Sequence, residues 1–283
     1  MNKYSALIIG AGGQGALADA PGSGNEHKIL SFAHALREHS GFDRIFFYDK
    51  DIKKAIKAAL IWGGCWTDTY WTDDILELTK PVDIAVVSTP DDDHYEVLKK
   101  LAKCPLRLVI CEKPLCTDID KAREIVELYK SKNIPLMVAY QRRFIPELQD
   151  LKRRYEAGEF GRLYAAMVSF NRGFLHTGSH MVDFINWFFD RSKSLQIAYF
   201  DVPYRAWQIQ FFFDNFFWQE QIIGDAKPPA MYDKQMAYII DNAYQFLEGK
   251  EPLKCTGEDA FKALEICFKA MEGAKTKNYE RNN

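Results

Sequence analysis

The chain has 283 residues, of which 37 are lysine or arginine and 39 are aspartate or glutamate, giving a formal net charge of −2. A chain of this length can bury two moderate hydrophobic cores, and we expect two domains. The balanced charge excludes a global attraction to nucleic acid or to an anionic membrane surface, so we expect neither as a partner.

The cysteines show neither a metal-site nor a disulfide pattern. They stand at positions 65, 104, 111, 116, 255 and 267, without a C-x-x-C pair, which indicates reduced thiols and no metal site. The apolar run Ala6–Ile9 is too short for a membrane span, and no signal-peptide cleavage pattern follows it. We therefore expect a cytoplasmic protein.

The first predicted element is a buried strand that runs into a glycine-rich turn. Tyr4–Ile9 is almost wholly apolar, as expected of a parallel strand covered on both faces. In the turn that follows, the glycines would permit a tight bend and a close approach of backbone amides to a pyrophosphate. A purely structural turn is the alternative. The residues predicted to bind a dinucleotide here are Gly10, Gly12, Gly13, Gln14 and Gly15.

An acidic residue ends the second predicted strand, Ile45–Tyr48. Asp49 could accept hydrogen bonds from the adenosine ribose and would repel a 2′-phosphate, so NAD is the expected cofactor and NADP the alternative. Asp49 follows Gly15 by more than the usual spacing of roughly 20 residues. The excess comes from an inserted stretch, residues 16–27, which we expect to cover the pyrophosphate or the substrate.

Strands and helices alternate along the rest of the first half, which is typical of a doubly wound parallel sheet in an α/β Rossmann domain. We place the domain boundary after residue 141, so that residues 1–141 bind NAD(P) and residues 142–283 form a substrate-binding and oligomerisation domain. Further strands are predicted at Ile84–Ser88, Leu108–Cys111 and Ile134–Tyr140, with helices at 53–59, 75–78, 93–101 and 118–131.

Polar residues stand at the ends of two of these strands, at the edge where open α/β sheets bind ligands. The two motifs are Ser88-Thr89-Pro90, followed by His94, and Glu112-Lys113-Pro114. The residues expected to bind the cofactor here are Ser88, Thr89, Pro90, His94, Glu112 and Lys113. Lys113 is the candidate for proton transfer, because desolvation and a nearby nicotinamide ring would both lower its pKa. A solvated lysine in a turn is the alternative.

The second half mixes helical patterns with strand-like runs. Helices are predicted at 145–155, 176–189, 232–247 and 256–274, and a strand at 163–170. The block Tyr199–Trp218 is rich in aromatic residues. We expect it to build a core and an interface between subunits, with few of its residues near a substrate.

The motifs taken together resemble the Gfo/Idh/MocA oxidoreductases, which are sugar, inositol and polyol dehydrogenases. The resemblance implies a second domain of α+β type with an open, mostly antiparallel sheet, and a homodimer or homotetramer formed through that sheet. It rests on the Gly10 loop, Ser88-Thr89-Pro90 with His94, Glu112-Lys113-Pro114, Gln141-Arg142-Arg143-Phe144, and Gly178-Ser179-His180 with Asp183.

The resemblance also implies roles for individual residues. Lys113 would move the hydroxyl proton as hydride passes to or from the nicotinamide, with His180 beside it. Many family members have an aspartate where this chain has His176, which could bind a substrate hydroxyl but supplies no fixed negative charge. We expect these three residues to be catalytic and, together with Arg142, to bind substrate. Locally satisfied histidines, or a metal site with Asp183, are the alternatives.

The predicted function is hydride transfer between a nicotinamide and a secondary alcohol or ketone of a sugar, polyol or nucleotide-sugar. One alternative is an enzyme that retains its NAD while it cleaves or eliminates a glycosidic bond. Another is a non-catalytic sugar or nucleotide sensor. The shortness of segment 190–226 favours a sensor, whereas the presence of Lys113 argues against one.

Overall fold

The structure is a computed structural model and describes residues 2–62, 68–71, 81–171, 173–189, 196–199, 206–223 and 228–275. These residues form a six-stranded and a four-stranded sheet. None of the helices within these ranges has the length and apolar character that crossing a membrane requires. The predicted helix at 75–78 lies outside the described residues.

The first sheet consists of parallel strands in the order β3-β2-β1-β4-β5-β6. Strands β1, β4 and β5 are buried along their whole length, as their continuous apolar runs predict. The chain order reverses between β1 and β4, and a ligand crevice is expected at the carboxyl ends of these strands. The predicted doubly wound sheet is confirmed. The strands are β1 Tyr4–Ile9, β2 Phe42–Tyr48, β3 Asp68–Trp71, β4 Ile84–Val87, β5 Leu108–Cys111 and β6 Leu136–Val138.

Four helices connect these strands: α1 Phe32–Glu38, α2 Ile52–Trp62, α3 His94–Leu101 and α4 Ile119–Ser131. Side chains at two helix starts satisfy free backbone amides, as N-caps do. The Ser31 hydroxyl accepts from the amide of His34, and the Asp118 carboxylate accepts from the first turn of α4. These caps fix where α1 and α4 begin.

The second sheet has the order β10-β9-β7-β8, in which β7 and β8 are parallel and the other pairs antiparallel. The predicted α+β domain with a mostly antiparallel sheet is therefore confirmed. Buried and partly exposed residues alternate along β9, and Phe211 packs against Phe184 and Phe188 of α6. Among the described aromatic residues of the block, Trp207, Phe211 and Phe213 are buried in this core, and Phe216 and Trp218 pack against it. The elements are α5 Pro146–Glu156, β7 Leu163–Phe170, α6 Ser179–Phe188, β8 Gln196–Tyr199, β9 Ala206–Phe213 and β10 Phe217–Ile223.

The last two helices, α7 Gln235–Leu247 and α8 Gly257–Lys275, pack against the first sheet's core. Ile239 and Leu264 are fully buried in the same cluster as β1, and the Tyr244 ring lies 5.8 Å from that of Tyr4. The division at residue 141 stays a prediction, but α7 and α8, which it assigns to the second domain, bury side chains in the core of the first sheet.

Candidate active site

The loop after β1 is shaped by glycines that leave no room for a side chain. Gly10 has a φ of +90°, and a Cβ there would overlap the Ser88 carbonyl oxygen; one on Gly15 would overlap the Gly10 carbonyl oxygen. A Cβ on Gly12 or Gly13 would meet nothing within 4 Å. The loop therefore fits a pyrophosphate above Gly12 and Gly13, while Gly10 and Gly15 close the turn.

The Asp49 carboxylate is fixed against this loop. Its Oδ2 accepts from the Ala11 amide and its Oδ1 from the Asp51 amide, both at 2.9 Å. Each oxygen keeps a second lone pair, and the residue is partly exposed, so it can still accept a ribose hydroxyl. The geometry fits the predicted role of Asp49.

The inserted stretch forms a loop that is closed at its base and tied to the second domain. Residues 20–29 are named the bridging loop here. The buried Asp19 carboxylate accepts from the Ser31 amide at 3.0 Å and from the Leu30 amide, which closes the base. Next to this base, Lys28 Nζ lies 2.7 Å from Asp233 Oδ1, and the Ile29 amide donates to the Asp233 carbonyl.

A cavity of about 790 Å³ lies between the bridging loop, the end of β5 and the second domain. Residues 18, 24, 25 and 27 of the inserted stretch line this cavity. That residues 16–27 cover the pyrophosphate or the substrate stays a prediction. Residues with polar side chains in the other walls include Lys113, Arg142, Asn171, His176, His180 and Tyr232.

Lys113 is buried at the carboxyl end of β5, and its Nζ lies 3.3 Å from His176 Nδ1. Burial lowers the pKa of Lys113, although the charges of Glu112 and Asp91 oppose the shift. Burial also raises the pKa of Glu112 to about 7. Glu112 Oε2 accepts from the Lys113 amide, and Oε1 has no hydrogen-bond partner among the described residues. The lowered pKa makes the neutral form of the Lys113 amine easier to reach near neutral pH than that of a solvated lysine.

His176 and His180 reach the same cavity from consecutive turns. His176 lies on a π-helical turn, Gly173–Gly178, and His180 on α6, where its ring meets the Tyr140 ring edge to face at 5.7 Å. The structure therefore brings the three residues predicted to be catalytic to one cavity. Arg143 donates to the Asp183 carboxylate at 2.8 Å. This carboxylate is therefore not free to bind a metal ion together with the two histidines.

Arg142 lines the cavity but is already paired. Its Nη2 lies 3.0 Å from Glu220 Oε1, and its guanidinium lies over the rings of Trp207 and Tyr232 at 4.7 and 5.5 Å. Sequence reasoning could not find Glu220, which lies 78 positions away. Substrate binding by Arg142 stays a prediction, and any such contact would use a side chain that β9 and β10 hold in place.

His94 lies behind the cavity and joins the two strand-end motifs. It is fully buried, with Nδ1 2.8 Å from the Pro114 carbonyl oxygen and Nε2 3.1 Å from that of Thr89. Burial lowers its pKa despite these two acceptors. Because no surface of His94 is exposed, we expect it to serve the cofactor site by positioning Thr89 and Pro114 rather than by direct contact.

Sequence reasoning missed Asp91, which directly follows Ser88-Thr89-Pro90. Its Oδ2 lies 3.6 Å from His176 Nδ1. Burial acts to raise the pKa of Asp91, but the nearby imidazole of His176 and the charge of Lys113 outweigh it and lower the pKa. The run of three aspartates at 91–93 was the signal that could have drawn attention to it.

Comparison with known proteins gives consistent matches for the first domain. Residues 5–140 match the family model described as the oxidoreductase family with an NAD-binding Rossmann fold, Gfo/Idh/MocA. Inositol 2-dehydrogenase 4 of Saccharopolyspora erythraea is 34% identical over 140 residues, which cover 47% of this chain and 40% of that protein. The scyllo-inositol 2-dehydrogenase (NAD(+)) of Bacillus subtilis is 30% identical over 94 residues, covering 32% of this chain and 27% of that protein. The matched region spans less than half of either relative.

Solved structures show the same fold over both domains. Myo-inositol 2-dehydrogenase from Lactobacillus plantarum has a TM-score of 0.76 at 15% identity, with 97% of this chain and 98% of that chain covered. The WlbA dehydrogenase from Bordetella pertussis, in complex with NADH and UDP-GlcNAcA, has a TM-score of 0.74 at 17% identity, with 97% and 96% covered. At these identities the likeness establishes the architecture.

Proposed function

We propose that the chain is an NAD-dependent dehydrogenase of the Gfo/Idh/MocA family, whose model of an NAD-binding Rossmann fold matches residues 5–140. Its substrate would be a secondary alcohol, or the matching ketone, of a sugar, polyol or nucleotide-sugar. The observation that carries the proposal is the buried amine of Lys113, 3.3 Å from His176 in the wall of a polar cavity. The test is to incubate the protein with NAD and a panel of these alcohols, and to follow reduced nicotinamide and product mass.

The residues divide the chemistry between them. NAD, when bound, supplies the acceptor for the hydride of the alcohol carbon. The glycine loop and Asp49 would hold the dinucleotide, and the predicted contacts of Ser88, Thr89, Pro90 and Glu112 lie at the adjoining strand ends. The neutral amine of Lys113, which the lowered pKa of this residue favours, would accept the hydroxyl proton. His176 and His180 would orient the hydroxyl from the facing wall.

The preference for NAD depends on the charge of Asp49. We expect Asp49→Asn to lower the ratio of NAD to NADP affinity by roughly tenfold, equivalent to about 1.4 kcal/mol, because an amide no longer repels a 2′-phosphate. Titration of both cofactors gives the two values of Kd. Asp51→Asn, at a neighbouring exposed position, is the control and should leave the ratio unchanged. A wild-type protein that binds NADP as tightly as NAD would contradict the role of Asp49.

We expect the bridging loop to affect the binding of the substrate more than the binding of the cofactor. Lys28→Met removes the ion pair with Asp233 and loosens one cavity wall, so we expect KM for the alcohol to rise roughly threefold to tenfold, or about 0.7 to 1.4 kcal/mol. The Kd for NAD should change less. Lys132→Met, at the exposed end of α4, is the control. Equal effects on KM and on the Kd for NAD would contradict a wall on the substrate side.

We also propose that the protein is a homodimer or homotetramer, associated through the outer face of the second sheet. That face exposes large apolar side chains, Tyr164, Met167, Phe217 and Ile223, of the kind that homodimer interfaces bury. Sedimentation of the wild type and of Met167→Glu would show association and its loss.

The cytoplasmic location stays a prediction, and the free thiols of the described cysteines fit it.

A further inference from the structure

We propose that His176 carries the proton from Lys113 to solvent, and that Asp91 stabilises the imidazolium formed on the way. This inference rests on the proposed dehydrogenase function. Lys113 is only 7% exposed, so the proton it takes from the substrate needs a partner that reaches water. His176 is that partner, because its Nδ1 lies 3.3 Å from Lys113 Nζ and its side chain is 56% exposed.

The transfer uses the single proton position on Nδ1. A neutral imidazole with its proton on Nε2 accepts from the Lys113 ammonium at Nδ1. An N–H bond of Lys113 breaks as the Nδ1–H bond forms, and the positive charge moves to the imidazole. Loss of the Nε2 proton to water, followed by a change of tautomer, restores the starting state. No electrons are exchanged, and one proton leaves for each alcohol oxidised.

Asp91 is placed to stabilise the charge at both ends of this transfer. Its Oδ2 lies 3.6 Å from His176 Nδ1, within the range of an ion pair, and its charge also acts on Lys113. The two aspartates that follow have other partners, since Asp92 accepts from Thr117 and Asp93 from Lys50. The titratable and charged groups around Lys113 and Asp91 are Glu112, His94, His176 and, across the cavity, His180.

The experiment compares Asp91→Asn with its neighbour Asp92→Asn. The Asp91 charge favours the protonated form of Lys113 and so raises its pKa; without that charge, the neutral amine is available at lower pH. We expect the acid limb of the pH profile for alcohol oxidation to move to lower pH in Asp91→Asn, and kcat to fall roughly tenfold. Asp92→Asn should show neither change.

Two further readouts separate proton transfer from a structural role. His176→Ala should lose kcat and regain part of it with added imidazole, while its thermal midpoint stays near that of the wild type. In cofactor-free protein, the pH midpoint for labelling Lys113 with an amine-reactive probe should fall in Asp91→Asn but not in Asp92→Asn. An unmoved labelling midpoint, or the absence of rescue by imidazole, overturns the inference. The labelling result needs no turnover, so it stands apart from a failure of the proposed dehydrogenase function.

Discussion

Replacing Lys113 with methionine is expected to lower kcat for alcohol oxidation by about 10² to 10⁴-fold, the range that general acid–base groups contribute. Methionine keeps the length and apolar stem of the side chain but has no amine to accept the hydroxyl proton. Because Lys113 is buried, replacing it removes a desolvated amine and should leave the fold intact. Steady-state rates and NAD titration measure the two consequences separately.

Lys103→Met is the matched control, because Lys103 is an exposed lysine in the turn after α3. It should retain the wild-type rate. If Lys113→Met and the wild type oxidise the same alcohol equally fast, Lys113 is not the proton acceptor. If Lys113→Met also loses NAD binding, the loss of rate would have to be assigned to the cofactor site.

The second large effect is expected on stability, at the buried pair of Arg143 and Asp183. Arg143 Nη2 and Nε bind the carboxylate at 2.8 to 3.2 Å, and both residues are at most 4% exposed. Arg143→Met would leave the Asp183 charge buried without a partner. We expect the free energy of unfolding to fall by about 3 to 5 kcal/mol, as when one member of a buried pair is removed.

Denaturant unfolding measures this loss, and a double-mutant cycle gives its control. Asp183→Leu together with Arg143→Met removes both charges, so the double variant should be more stable than Arg143→Met alone. A loss below about 1 kcal/mol in Arg143→Met, the range of exposed pairs, would show that the pair contributes no more than a surface ion pair.

The sequence predicts the elements of the first domain well, because burial and helical period leave local patterns. The run Leu108–Cys111 is found as a strand with the predicted bounds, and so, in the second domain, is Leu163–Phe170. The glycine pattern at 10–15 also identifies a loop whose shape depends on the absence of side chains. In each case the signal lies within a few neighbouring residues.

Contacts between distant segments could not be predicted in this way. The pair of Lys28 and Asp233 joins a loop of the first domain to residues just before α7, and no local pattern links the two positions. The contact of His176 with Asp91 could not be predicted for the same reason, because two turns that are distant in the sequence bring the residues together. Helical periodicity in α7 indicates a buried face, but it does not say which core covers that face.

The most direct test of the dehydrogenase function follows deuterium from the carbinol carbon of an alcohol that the protein oxidises. We predict transfer of the label to the nicotinamide ring, with one reduced cofactor formed for each ketone. Consumption of a glycoside without net reduction of NAD would indicate an enzyme that retains its cofactor. Binding of sugars or nucleotide-sugars without any turnover would indicate a sensor, and either result would contradict the dehydrogenase assignment.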